Sequence, residues 1–267
     1  MPRALCQVTT RDLAADRASG TASQRGVILP VGSVEQHGAY LPVTCDVDIA
    51  QGVAAALTDA LELRGRYRAW MAPPVPYGPV PGASRTDGTS SVGFSEFGDY
   101  LSAVASGFAG SGVWDFIVIV NAHAHNHGRA IEAACTVYGR HHVPVFVLQV
   151  YEYAHLCAEL GIEPGSHGGE FEIALHNYYV GRKPDTGHLP STADPRPRPL
   201  TVFGLDLLPR SYDGIVAATP PSVDRALAAA GALGERLDAE LAARLETDLD
   251  VYFASWQIQR HDAEGDL

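Results

Sequence analysis

Cysteine is scarce in this chain of 267 residues: Cys6, Cys45, Cys135 and Cys157 stand far apart, with no C-x-x-C pair. That spacing excludes a sequence-evident disulfide scaffold or zinc ribbon and suits a reducing compartment. Positive charge is sparse as well, with 19 Lys plus Arg against 31 Asp plus Glu and a formal net charge of −12. Such a balance argues against a nucleic-acid-binding or anionic-membrane surface. No segment approaches the roughly 18 uninterrupted apolar residues of a membrane span, and residues 1–20 lack the apolar stretch of a signal peptide. A cytoplasmic protein is expected. Also missing are a G-x-G-x-x-G after a strand, a Walker loop and a G-x-S-x-G elbow, so neither a nucleotide cofactor nor that kind of serine nucleophile is implied.

What remains is an ordinary globular composition, 46% hydrophobic, with length enough for a real core. Short apolar runs at 26–32, 70–78, 115–122 and 144–151 read as strands. The run "DFIVIVN" is apolar at consecutive positions, as a strand covered on both faces requires. Helical spacing lies between and after these runs. It is carried by Ile49, Val53, Leu57 and Leu61, by Ile131, Ala134, Cys135 and Tyr138, and by Phe171, Ala174, Leu175 and Tyr178. Leu233, Leu237, Leu241 and Leu245 mark a long amphipathic helix over about 222–249. The alternation predicts crossover units in one α/β domain spanning 1–267, built on a mostly parallel sheet. The Pro-rich segment 183–211 reads as an excursion from it, a lid or an oligomer arm.

Two polar clusters follow strands. After 26–32 come Glu35, His37 and Asp46; after 115–122, "NAHAHNHG" supplies His123, His125 and His127, with Asn126 between the last two. Ligands of open α/β sheets bind beyond the carboxyl ends of strands, so neighbouring parallel strands deliver both clusters to one crevice. Imidazole with carboxylate suits Zn²⁺ first, with Mn²⁺ or Fe²⁺ as alternatives, and four or five ligands suffice for one or two ions. In extended backbone, residues at i and i+2 share a side, which pairs Glu35 with His37 and His123 with His125. Asp46 and Asn126 have a simpler reading too, as helix N-caps. A third cluster, "GSHGGEFEIA", holds His167, Glu170 and Glu172. There the histidine is a candidate general acid or base, and acids in a first helical turn also complement the helix dipole.

Three stretches taken together resemble the creatininase (creatinine amidohydrolase) family. They are "PVGSVEQHGAYLPVTCDVDIA", "NAHAHN" and "HGGEFEIA", in that order. The tail "GIVAATPPSVDRALAAAGALGERL" also looks like the family's terminal strand-turn and helix. The resemblance implies a creatininase-like three-layer fold, a homohexamer and a dinuclear metal centre that hydrolyses C–N bonds. By position it implies that Glu35, Asp46 and His123 hold one metal, while His37, bridging Asp46 and His125 hold the other. His167 matches the proton-transfer histidine and Glu172 the family's acid.

The chain departs from the family pattern at Tyr40 and at "GASRTDGTS", where Gly82 and Ala83 replace a Glu-His pair. These changes disfavour creatinine itself and make Tyr40, Arg85, Asp87, Asn126 and Glu170 candidate contacts for another small-molecule substrate. The expected activity is metal-dependent hydrolysis of an amide, cyclic amide or formamide bond other than a peptide bond. The rivals are a mononuclear enzyme of hydration, isomerisation or C–C cleavage, with His125 and Glu172 as acid–base groups, and a non-catalytic metal-dependent binding protein.

Overall fold

A computed structural model describes residues 3–19, 24–81, 87–164, 167–184 and 221–265. Four parallel strands form its sheet: β1 (Gln24–Val31), β2 (Tyr67–Met71), β3 (Phe116–Asn121) and β4 (Val145–Gln149), in the order β2-β1-β3-β4. The helices are α1 (Thr10–Ala18), α2 (Cys45–Arg64), α3 (Phe94–Gly110), α4 (His127–His141), α5 (Leu156–Glu159), α6 (Glu170–Val180) and α7 (Val223–Gly265).

Alternate side chains of the strands enter two separate cores, which explains the consecutive apolar positions. Ile28, Phe116, Val118 and Val120 pack with α2, α6 and α7 on one face. Val27, Leu29, Ile117 and Ile119 pack with α3 and α4 on the other. The result is the expected three-layer α/β/α arrangement. On the first face, Ile49, Val53, Leu57 and Leu61 of α2 and Leu233, Leu237, Leu241 and Leu245 of α7 are all buried. Phe171, Ala174 and Leu175 of α6 are buried beside them, with Tyr178 partly so. Among the described residues no helix is long and apolar enough to cross a membrane.

Two expectations need correction. The second strand is not 70–78 but Tyr67–Met71. Pro73, Pro74 and Pro76 lack the N–H a ladder requires, and past Met71 the chain touches β1 mainly at a single bridge, Val31 to Val75. The stripe on α4 is also displaced. Ala130, Ala133, Ala134 and Val137 face the sheet, whereas Ile131, Cys135 and Tyr138 are exposed. Small side chains let this helix approach the sheet closely, so the buried face is the less conspicuous one. The segment 185–211, most of the Pro-rich excursion, and residues 214–220 of the tail lie outside the described residues, as do Gly82, Ala83 and Arg85.

The strand order places the site. The chain passes from β1 outward to β2, then crosses back over β1 to β3. Neighbouring β1 and β3 therefore lead to helices on opposite faces of the sheet, and a crevice opens beyond their carboxyl ends.

Candidate metal centre

Glu35 and His37 lie just past β1, Asp46 in the first turn of α2, and His123 two residues past β3. Gly32 makes the first junction possible. A Cβ there would lie 2.6 Å from the Val47 backbone nitrogen and 2.8 Å from the Asp46 carbonyl carbon. Only a residue without a side chain lets the end of β1 abut the start of α2. Asp46 is not an N-cap: Thr44 holds that position on α2, with no side-chain capping bond. Its carboxylate points into the crevice instead.

There the Asp46 carboxylate stands between two imidazoles. Oδ1 is 3.1 Å from His37 Nε2, and Oδ2 is 2.9 Å from His123 Nδ1. Glu35 Oε1 lies 3.4 Å from the same His123 nitrogen and 3.1 Å from His167 Nδ1. Glu172 Oε2 lies 3.7 Å from His37 Nε2. All six side chains are buried.

Each imidazole is oriented from behind by a carbonyl. His37 Nδ1 is 3.0 Å from the Glu35 carbonyl oxygen, and His123 Nε2 is 3.1 Å from that of Pro79. A carbonyl only accepts, so those nitrogens carry a hydrogen, and His37 Nε2 and His123 Nδ1 face the carboxylates, where each holds a second proton or, once that proton leaves, offers a lone pair to a cation. Asn121, the last residue of β3, holds the His123 backbone from both sides. Its Nδ2 donates to the His123 carbonyl and its Oδ1 accepts the His123 N–H.

Electrostatics follow from this geometry. Burial alone would push the Glu35 and Asp46 carboxyls up, but the facing imidazoles outweigh it and both pKa values fall. Burial would likewise lower the imidazoles, yet Asp46 and Glu172 raise His37 to about 10, and Glu35 and Asp46 raise His123 well above its ordinary value. Protons on these rings thus balance a dense patch of buried negative charge.

That charge is the test of whether divalent cations fit. Three buried carboxylates meet three imidazoles, and neutral rings would leave the anions uncompensated at high cost. Cations would supply the compensation. Donor atoms of Glu35, Asp46 and His123 lie within 4.8 Å of one another, as do those of His37, Cys45 and Glu172, and those of Glu35, His37 and His167. The first two sets adjoin where Asp46 Oδ1 meets His37 Nε2 at 3.1 Å. The donor types suit Zn²⁺ or Mn²⁺.

Several expected site residues stand elsewhere than beside the donor sets. Among the described residues His125 belongs to none of these sets. After β3 the chain turns into a 3₁₀ turn, Ala124–Asn126, so positions 123 and 125 no longer share a side. The exposed His125 stands beside His123, ring centroids 5.3 Å apart, and partial desolvation together with the charge on His123 lowers its pKa. Glu172 stands near His37 instead.

Asn126 is buried at the N-cap position of α4, but its side chain makes no capping bond and donates from Nδ2 to the Gly32 carbonyl at 3.0 Å. Glu170 does not face the crevice. It accepts from Arg225 Nε at 2.8 Å and from the Ser222 and Glu163 N–H groups at 2.7 and 3.1 Å, tying α6 to the start of α7. Tyr40 donates its hydroxyl to the Gly168 carbonyl, and Asp87 lies exposed in a turn.

The His167 loop is fixed from three directions. Gly168 adopts a φ of 64°, open to glycine but strained for other residues, and its N–H donates to Glu172 Oε2. Tyr40 holds its carbonyl. His167 Nε2 lies 2.6 Å from the Gln36 carbonyl oxygen, which leaves Nδ1 toward Glu35. Two residues that sequence reasoning missed complete the surroundings. Tyr151, just past β4 at the carboxyl edge of the sheet, donates to Glu172 Oε1, and Cys45 precedes Asp46.

The sequence profile described as "Creatininase: Creatinine amidohydrolase" matches residues 9–247. The chain belongs to the creatininase family. Among solved structures, "Crystal structure of creatinine amidohydrolase (creatininase)" superimposes with a TM-score of 0.75 at 19% identity, covering 92% of this chain and 98% of that one. "Creatininase Mn" does so with a TM-score of 0.74 at 19% identity, covering 93% and 99%. These neighbours share the fold. A curated relative, "Mycofactocin precursor peptide peptidase" of Mycolicibacterium smegmatis, is 37% identical over 100 residues, 38% of this chain. The matched stretch spans 40% of that relative's length.

Proposed function

We propose that this protein is a metal-dependent hydrolase of an amide-like C–N bond in a small polar compound. The observation that carries the reading is Asp46, a buried carboxylate presenting one oxygen to the His123 side and the other to the His37 side. Glu35, Asp46 and His123 would hold one divalent cation; His37, Asp46 and Glu172 would hold a second. Zn²⁺ is favoured by the imidazole content, with Mn²⁺ and Fe²⁺ as alternatives. A cation bound there supplies Lewis acidity, polarising a carbonyl and lowering the pKa of water from about 15.7 to about 7.

The chain's own residues do the rest. His167, anchored through Nε2 on the Gln36 carbonyl, passes a proton at Nδ1 to the departing nitrogen. Tyr40 and the Gly168 N–H keep that ring at the crevice. Glu172, restrained by Tyr151 and Gly168, keeps its carboxylate toward His37.

Hydrolysis of a non-peptide amide, cyclic amide or formamide remains the reading drawn from the motifs. Short peptides belong in the same test, because a peptide bond is chemically an amide and the mycobacterial relative is named a peptidase. We also infer a cytoplasmic homo-oligomer, a hexamer by family resemblance. Exposed Ile131 and Tyr138 on α4 and Tyr100 on α3 offer apolar surface for a subunit contact, which sedimentation would detect. The functional test is turnover of lactams, formamides and short peptides by the purified metal-loaded protein, read by product mass. Addition of one water with scission of a C–N bond supports the proposal. A product of unchanged mass, or C–C scission, points to the mononuclear rival.

A further inference from the structure

Cys45 opens α2 directly before Asp46 and is fully buried. Its Sγ, a His37 ring nitrogen and a Glu172 oxygen all lie within 4.8 Å of one another. His37 has committed Nδ1 to the Glu35 carbonyl, so Nε2 is the nitrogen it offers, 3.1 Å from Asp46 Oδ1 and 3.7 Å from Glu172 Oε2. Sulfur, nitrogen and a carboxylate oxygen therefore converge beside Asp46, whose Oδ1 meets the same His37 nitrogen at 3.1 Å. The Glu35 and His123 side has only oxygen and nitrogen donors in its set. His125, the residue that the family pattern places on the His37 side, is absent from these sets among the described residues, and that side needs another donor.

We propose that Cys45 is a ligand of the second cation position, joining His37, Asp46 and Glu172, and that its sulfur makes that position selective for Zn²⁺ over Mn²⁺. Four protein donors match the coordination number that zinc prefers. A thiolate is a soft ligand, which selects zinc over manganese, whereas a carboxylate–imidazole set accepts both. On binding, Sγ forms a bond to the cation and the thiol proton leaves to solvent, with no change of oxidation state. The inference rests on the metal-centre reading above and adds to it a sulfur ligand peculiar to one of two adjoining positions.

The test is cobalt substitution of the full-length protein, comparing wild type with Cys45→Ser and Cys45→Ala. Metal per chain is counted, and the near-ultraviolet thiolate-to-cobalt charge-transfer band is recorded. Wild type is expected to bind two Co²⁺ and show the band, and both variants to lose it while their circular dichroism stays native. Zinc affinity of the second position should fall by on the order of 100-fold or more in Cys45→Ala, beyond the 10–100-fold typical of outer residues. Manganese binding at the first position should stay the same. Two bound cobalt ions with no band in wild type, or a band that persists in Cys45→Ala, overturn the sulfur ligand and leave the hydrolase reading standing. One bound cobalt without the band overturns it as well. Failure to bind any divalent cation overturns both. Should Cys45→Ala misfold, protection of the wild-type Cys45 thiol from alkylation by added Zn²⁺, located by peptide mass mapping, decides the matter: unchanged labelling overturns the ligand.

Discussion

His123 Nδ1 lies 2.9 Å from Asp46 Oδ2, joining the end of β3 to the first turn of α2 across 77 positions of sequence. Because the other oxygen of Asp46 faces His37, this carboxylate is common to both sides of the centre. Asp46→Asn keeps the shape and removes the charge. We expect it to lower divalent-metal affinity and turnover by roughly 100-fold or more, at least the cost of losing an outer-sphere partner. Metal analysis after dialysis, alongside activity, checks this; a variant that retains its full metal content contradicts it.

His125 and His167 should separate cleanly. His125→Ala leaves metal content unchanged, since that side chain stands outside the donor sets. His167→Ala removes one donor of the Glu35–His37–His167 set but none of the ligands assigned around Asp46, so it should keep its metal and lose roughly 10²–10⁴-fold in turnover, the usual contribution of a general acid or base. Measuring kcat and bound metal for both variants tests the assignment. Loss of metal from His125→Ala would return that histidine to the ligand set.

Metal uptake should strengthen as pH rises. Without a cation, Asp46 and Glu172 hold His37 protonated up to about pH 10, and Glu35 and Asp46 raise His123 well above its ordinary value. An entering cation must expel those protons, so lowering the pH adds competition. The slope reaches about 100-fold in affinity per pH unit if both rings release a proton. Calorimetry in buffers of different ionisation enthalpy counts the protons released, and a count near zero contradicts this account.

Glu170 is predicted to matter for stability and not for catalysis. Glu170→Gln weakens its pairing with Arg225 and with the Ser222 and Glu163 N–H groups. The expected loss is about 1–3 kcal/mol, the cost of impaired buried hydrogen bonds to a charged group. Urea denaturation measures that loss, while kcat of the folded fraction stays the same.

A second stability effect arises far from the centre. Asp238 on α7 accepts from Tyr178 and Tyr179 at 3.2 and 2.7 Å. Burial raises its pKa from 3.8 to about 6, against the lowering effect of the two hydroxyls. The folded state thus binds the extra proton between those values, so this contribution is complete below 3.8 and is lost as pH rises through about 6. For a half-buried carboxylate the change is on the order of 1–2 kcal/mol. Subtracting the stability curve of Asp238→Asn from that of wild type should reveal it; a flat difference would contradict the assignment.

The layers of the fold were legible because strands buried on both faces read as unbroken apolar runs, and leucines every four residues are hard to mistake for anything but a helix stripe. Other features were not. On α4 the sheet-facing side is built of alanines, so the conspicuous Ile131 and Tyr138 drew the eye to the wrong face. At the site, Glu35, His37, Asp46, His123 and His167 do meet, but the i, i+2 rule carried His125 along only while the backbone was taken as extended. The 3₁₀ turn after β3 breaks that rule. Tyr151 carried no local motif, and only its place past the carboxyl end of β4 could have flagged it.

The central claim is that buried carboxylates and imidazoles around Asp46 hold a divalent cation without which no C–N bond is cleaved. Its most direct test is to strip the purified enzyme with a chelator, quantify residual metal by mass spectrometry, and measure hydrolysis before and after adding back Zn²⁺ or Mn²⁺. The account predicts that activity vanishes with the metal and returns with it. Full activity in protein free of metal would contradict it.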